Sequence, residues 1–337
     1  MSTAANTAES GPRHPKRHGW APTRIEWRGE EPFVSWCYLG DIPLDEPFYD
    51  GTLAGVMDKP FNRLFGHTTG IDVLEQWAKE SPGMEPSGFI FHMSRCGSTL
   101  VSRMLAALPE HLVVSEAGPL DAIARAERRG PGFSRQTRAQ WFRWMTSVLG
   151  QKRRGTEQRY FIKFDSQTIR DLPLIREAWP DVPWIFVYRD PVEVFASHLN
   201  QPSAAMMPGV LQSGGLDLAA AEVFAMPEGE YGSRVLARLC GAACSALKED
   251  GMAVNYTELP EAVHGRIAAH FGLRFEAPAV AAMEKATLVH AKLPHRRFRP
   301  DGDYKKTALS PEARAAVARW IQPYYEQLEE LRVNRVP

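Results

Sequence analysis

The chain has 337 residues, of which 44% are apolar and 24% charged. That length and mix suit a globular protein with a large core and exclude collagen-like, disulfide-framework and largely disordered classes. Forty Lys and Arg balance forty Asp and Glu, so no global field draws the chain to nucleic acid or an anionic membrane, and any anion site must be local. Four cysteines, at 37, 96, 240 and 244, do not make a disulfide framework in a chain this long. No apolar run reaches the roughly 18 residues of a membrane-spanning helix. The first twenty residues hold no apolar h-region, so no secretory leader is expected. The expectation is a cytoplasmic enzyme.

Residues 1–30 are rich in Pro, Arg, His and Ser and read as a flexible N-terminal arm. Residues 31–87 mix Phe33, Trp36, Tyr38, Phe48, Tyr49, Phe61 and Phe65 with Pro and Gly. They read as an irregular extension packing on the core, with one short helix near residues 70–78. From Gly88 to the end a single α/β domain is predicted. Its short apolar runs, at 88–93, 112–115, 160–164, 183–188 and 252–256, suit buried parallel strands. Amphipathic stretches between them suit crossover helices. The fold class is therefore α/β, a three-layer sandwich with a mainly parallel sheet of about five strands flanked by helices. Asp190-Pro191-Val192-Glu193 is a helix start, with an apolar stripe at 192, 195, 196 and 199. Ser310-Pro311-Glu312 opens another helix, expected to run past Trp320. The Met-, Pro- and Gly-rich stretch 200–230 reads as a surface excursion or a lid.

The sharpest local feature is HMSRCGSTLVSRML, residues 92–105. A strand ends, a loop of small residues follows, and a helix begins. Gly97 lets the backbone curl tightly, the helix start aims N–H groups into the loop, Ser98 and Thr99 add hydroxyls, and Arg95 adds charge. This is a cradle for phosphate or sulfate. It is not a Walker A loop, because Ser98 follows Gly97 where that motif needs Lys. About ninety residues on, VYRDPVEVFASHL (187–199) places Arg189 at a strand end and Ser197 on the next helix, off its apolar stripe.

Together these segments resemble the sulfotransferase family, which transfers a sulfuryl group from 3′-phosphoadenosine 5′-phosphosulfate (PAPS). SRCGSTL is similar to the family's 5′-phosphosulfate loop: Arg95 takes the basic position, Cys96 that of a Ser, Gly97 the glycine, and Ser98 and Thr99 the hydroxyls. RDPVEVFAS is similar to the 3′-phosphate motif through Arg189 and Ser197. VNYTELPE (254–261) resembles the strand end that places a Tyr, here Tyr256, near the adenine. Residues 298–312 resemble the loop that closes over the nucleotide, with Arg297 in the 3′-phosphate arginine position and Arg296 and Arg299 able to share its task. The resemblance covers roughly 88–325, and Arg95 with Leu100 is closest to the bacterial and tyrosylprotein branches.

The resemblance implies that the sandwich is P-loop-type, with PAPS as co-substrate, 3′-phosphoadenosine 5′-phosphate (PAP) as product, no metal, and a small-molecule or peptide acceptor. A homodimer is allowed, and neither nucleic acid nor a membrane span is expected. It also implies a general base, for which Glu116, at the end of the second strand, is the candidate. Burial is expected to raise its pKa towards neutrality. His92, His111 and His198 are its rivals. Lys163, ending the third strand, is similar to a lysine that stabilises the transition state in the tyrosylprotein branch. Cys240 and Cys244, four apart on a helix, read as buried small residues. Acceptor loops are sought at 33–70, at 118–145 (with Arg125, Arg128, Arg129, Trp141 and Trp144) and at 200–230. The rival functions are an ATP-dependent P-loop kinase of small molecules and a non-catalytic nucleotide-binding relic of the fold.

Overall fold

Trp20–Arg28 (β1) and Glu31–Tyr38 (β2) pair antiparallel around Gly29–Glu30. Gly29 takes φ +61°, a left-handed turn conformation that favours glycine. This is a computed structural model, and it describes residues 19–129, 133–210, 216, 218–290, 293–297 and 309–334. His67–Gly70 (β3) adds a third antiparallel strand along β2. β1 thus begins inside the stretch expected to be a loose arm, and an ordered sheet replaces the irregular extension. Prolines and charged residues at 22, 24, 26, 28, 31 and 32 interrupt the apolar run that would have announced these strands. Helices α1 (Tyr49–Met57), α2 (Pro60–Phe65) and α3 (Val73–Glu80) complete the extension. The last of these is the short helix expected near 70–78. Trp36 of β2 stacks on Trp77 of α3, with ring centroids 4.8 Å apart. One apolar core runs from Ala21 to Leu328, so the extension shares its core with the rest of the chain.

The central sheet contains β4 (Gly88–His92), β5 (His111–Ser115), β6 (Arg159–Lys163), β7 (Trp184–Tyr188) and β8 (Met252–Asn255). Its order is β5-β6-β4-β7-β8, and every neighbouring pair is parallel. These are the five apolar runs of the sequence, and all residues of β4, β5 and β7 are buried. Flanking helices include α4 (Ser98–Ala106), α5 (Gly118–Ala124), α6 (Arg135–Leu149), α7 (Leu172–Ala178) and α8 (Pro191–Asn200). α9 (Ala220–Phe224) and the long α10 (Glu230–Leu247) follow. The chain leaves β4 for β5 and β6 on one side, then crosses to β7 and β8 on the other. The carboxyl end of β4 is therefore a topological switch point, where sheets of this kind open a ligand crevice.

α8 starts as predicted: Asp190 Oδ1 accepts the N–H groups of Val192 (2.9 Å) and Glu193 (3.1 Å). Its buried face is Pro191, Val194, Phe195, Ala196 and His198, not the stripe at 192, 195, 196 and 199; Leu199 is 49% exposed. The helix from Pro311 ends at Trp320, and a second, Gln322–Val333, begins immediately. Pro323 lacks the N–H that would continue the first helix, which explains the break. Segment 200–230 is partly folded. Leu216, Val223, Tyr231 and Val235 form a small apolar cluster with Met206, Leu218 and Met226. Cys240 and Cys244 are buried on α10, as expected. No helix among the described residues is long and apolar enough to cross a membrane.

Candidate active site

The loop between β4 and α4 turns through left-handed conformations at Ser94 (φ +75°), Arg95 (+52°) and Gly97 (+91°). Among the described residues, Ser94, Arg95 and Glu116 are the three non-glycine positions with positive φ. All three lie at the carboxyl edge of the sheet. Such conformations cost roughly 1–3 kcal/mol each and persist where the surroundings hold them. Gly97 has a second reason to be glycine: a Cβ there would come 2.6 Å from the ring of Tyr256. No side chain caps the first turn of α4, whereas Asp190 caps α8. The amides of α4 therefore remain for water or a ligand. Ser98 and Thr99 are buried at the same turn. Cys96 is placed differently. Its thiol points into the core and donates to the Val187 carbonyl (3.0 Å), and burial pushes its pKa up to about 11. It lends the loop its backbone, not its side chain.

Arg189, at the end of β7, is buried between two partners. Its Nε donates to Glu193 Oε2 (2.5 Å), and its guanidinium lies 4.1 Å from the centre of the Tyr256 ring. Tyr256 thus touches both the Gly97 turn and Arg189, joining the two anion elements. Ser197 is half-buried on α8. Arg95 reaches towards the same helix. Its Nη2 donates to the carbonyl (2.7 Å) and to Oε1 (2.9 Å) of Gln201 and comes within 3.5 Å of the Ser197 carbonyl. A cation at a helix C-terminus is favoured by the exposed carbonyls there.

On the other side of β4, Glu116 follows β5 and Lys163 ends β6. Lys163 is wholly buried, and its ammonium pairs with Glu116 Oε1. The Glu116 N–H also donates to the Lys163 carbonyl (2.6 Å). His92 Nε2 lies 3.4 Å from Glu116 Oε1 and 3.0 Å from the Phe164 carbonyl. The Ser94 N–H donates to His92 Nδ1 (3.0 Å). That bond assigns the proton to Nε2 and leaves no lone pair on this ring to act as a base. Burial and then Lys163 lower the His92 pKa, against the Glu116 contacts, which favours the same neutral ring.

A sulfotransferase family model matches residues 86–277, more than half of the chain. The chain belongs to the sulfotransferase family. No curated protein matches it. Among solved structures, the sulfotransferase STF9 from Mycobacterium avium is 16% identical, with a TM-score of 0.44 over 76% of this chain and 80% of that one. The sulfotransferase domain of the Synechococcus PCC 7002 olefin synthase is 18% identical, with a TM-score of 0.38 over 77% and 98%. A sulfotransferase from Alicyclobacillus acidocaldarius is 14% identical, with a TM-score of 0.43 over 74% and 96%. The family match runs from β4 past Tyr256 and takes in Glu116, Lys163 and Arg189; the N-terminal sheet lies outside it.

The electrostatics of this crevice differ from the expectation in one respect. Burial does favour protonated Glu116, but Lys163 and the His92 hydrogen bond outweigh it, and the carboxyl is held well below its usual range. The expected rise towards neutrality falls instead on Asp121, which burial and Asp165 push up to about 7 against Arg125 and Thr168. Asp121 accepts from Thr168 Oγ1 (2.7 Å), and Arg125 pairs with Asp165 (2.7 Å).

Several expected residues sit elsewhere. His111 opens β5 at the opposite edge of the sheet, with Nδ1 2.9 Å from the Leu105 carbonyl. His198 is buried beside a cavity of about 370 Å³ under segment 200–230, lined by Phe195, Met206 and Tyr231. The stretch 118–145 is mostly α5 and α6. Trp141 is buried against Phe133, with ring centroids 4.9 Å apart, and Trp144 packs on the core, so both serve the core rather than an acceptor loop. Arg128 and Arg129 fall in a short helix, Ala126–Arg129. Arg296 and Arg297 fall in the strand Leu293–Arg297. Arg299 and the rest of the closing loop up to residue 308 lie outside the described residues. Among the described residues no group of three or more His, Cys, Asp or Glu is placed to hold a metal ion. Phe48, whose ring centre is 5.2 Å from Lys163 Nζ, and Asp50, whose pKa is raised by burial and by Glu116, fall within the stretch 33–70 searched for acceptor loops, although the sequence singles out neither.

Proposed function

We propose that the protein transfers a sulfuryl group from PAPS to a hydroxyl or amine of an acceptor, with Glu116 as general base. The observation that carries this is the Glu116–Lys163 pair beside the uncapped start of α4 in a sulfotransferase-family chain. The residues present fit the donor: the first turn of α4 has no side-chain cap, and its amides suit an anion. Gly97, Ser98 and Thr99 would hold its 5′ end, Arg189 and Ser197 its 3′-phosphate and Tyr256 its adenine, with Arg296, Arg297 and Arg299 closing over it. When bound, PAPS supplies the sulfuryl group, whose S–O bond to the phosphate breaks as a new S–O or S–N bond forms.

The protein's share is positioning, charge and one proton. Lys163 and the α4 amides oppose negative charge in the crevice, and Arg95, held on Gln201 at the end of α8, adds a positive charge from the same loop. Glu116 is ionised at neutral pH, as a base must be, and takes the acceptor's proton on its carboxylate. It is a weak base while Lys163 faces it, and it grows stronger as the ammonium turns to another anion. The four free cysteines, all buried, suit the reducing cytoplasm, where we place the protein.

The test is transfer of ³⁵S from labelled PAPS to phenols, alcohols, sugars and amines. Label is expected on at least one class. Failure with all of them, together with phosphoryl transfer from labelled ATP, would overturn the reading.

A further inference from the structure

The N-terminal extension reaches the catalytic pair. Residues 40–50 lead from β2 to the start of α1, and their backbone is pinned along its length. Arg153 Nη1 donates to the Gly40 carbonyl (3.2 Å). Arg154 Nη2 donates to both carboxylate oxygens of Asp45 (2.6 and 2.8 Å), and Arg103 donates to the Asp45 carbonyl. Pro47 is buried. Tyr49 is wholly buried, and its hydroxyl donates to the Pro22 carbonyl (2.8 Å). Phe48 sits between these fixed points with its ring half-buried.

That ring faces Lys163 Nζ at 5.2 Å. The ammonium thus contacts both the Phe48 ring and the Glu116 carboxylate. A quarter of the Glu116 side chain stays exposed, and the Phe48 ring, on the same ammonium, is itself only half-buried, which puts it within reach of an acceptor hydrogen-bonded to Glu116. We propose that Phe48 is a specificity-determining residue of the acceptor site, favouring acceptors that carry a planar apolar face beside the hydroxyl or amine to be sulfated. This rests on Glu116 being the base. Aromatic faces pair with one another beyond what area burial supplies. The cation–π contact with Lys163 fixes the ring's orientation. A carboxylate held below its usual range also suits the more acidic hydroxyl that an attached aromatic ring produces.

The probe is 4-nitrophenol, titrated by calorimetry against the full chain and its Phe48→Ala, Phe48→Leu and Phe48→Tyr variants. Phe48→Ala and Phe48→Leu should weaken binding about tenfold, and Phe48→Tyr should restore it. The PAP affinity of all three should stay within about twofold of wild type. With PAP present and 4-nitrophenyl sulfate driving the reverse reaction, KM should rise more than kcat falls in Phe48→Ala. Phe48→Leu keeps an apolar side chain without the flat face, so the test survives if Phe48→Ala unfolds. The proposal is overturned by unchanged affinity in the Ala and Leu variants, by loss without rescue in Phe48→Tyr, or by no binding to wild type. Phe48-dependent binding of 4-nitrophenol without any binding of PAP would support the Phe48 wall and overturn the donor assignment.

Discussion

The two sides of the crevice are built in different ways. On the β4–β7–β8 side, Gly97, Arg189 and Tyr256 lean directly on one another, and all three lie within the family match. On the β5–β6 side, Glu116, Asp121, Lys163 and Phe48 come from three separate stretches of chain. They act on one another chiefly through charge, and Phe48 lies outside the match. The first side is a frame set by local backbone shape, where we propose the donor's anionic groups bind. The second is an electrostatic balance, and every member of it changes the others. Shape-based sites fail by steric exclusion; charge-based sites fail by a shift in proton affinity.

Substitutions on the second side should therefore have the largest effects. Glu116→Gln should lower turnover by roughly 10²–10⁴ while PAP binding survives, because it removes the proposed base and leaves the frame. It also leaves the buried Lys163 ammonium without its partner, which costs about 3–5 kcal/mol. Adding Lys163→Met should recover much of that stability but none of the turnover. Recovery of turnover in the double variant would break the assignment of roles.

On the first side, Arg189→Ala should weaken PAP by about 10–100-fold and leave adenosine 5′-phosphate unaffected. Equal losses for both ligands would make Arg189 a structural residue that holds Tyr256 and Glu193.

The smallest expected effect concerns Asp121. Its folded pKa, about 7, lies above the ordinary Asp value. The folded state therefore holds a proton that the unfolded chain gives up between about pH 4 and 7. Stability falls as pH rises through that window. Asp121→Asn should thus match wild type near pH 4 and gain on it progressively as pH rises to 7. A constant difference across pH would contradict the raised pKa.

This division also decides what the sequence could reveal. The five strands of the central sheet are legible because strands buried on both faces need unbroken apolar runs. The Gly97 loop and the Arg189 helix start are legible because their chemistry sits within a few consecutive residues. The N-terminal sheet is not, since prolines and charges interrupt its strands and β3 joins β2 only after two helices. Glu116 was placed correctly at its strand end, yet its pKa runs opposite to the expectation. Burial can be anticipated from sequence. The compensating ammonium arrives from Lys163, 47 residues away, and its sign wins. Phe48 lies in the stretch 33–70 searched for acceptor loops, but nothing local distinguishes it from the other aromatics there; only the path of residues 40–50 brings its ring to Lys163.

The most direct measurement is a calorimetric titration of the wild-type chain with PAP and, in parallel, with adenosine 5′-phosphate. The account predicts saturable PAP binding at least tenfold tighter than that of adenosine 5′-phosphate, since Arg189 and Ser197 add contacts to the 3′-phosphate. Equal affinity for the two, or no PAP binding at all, would contradict it.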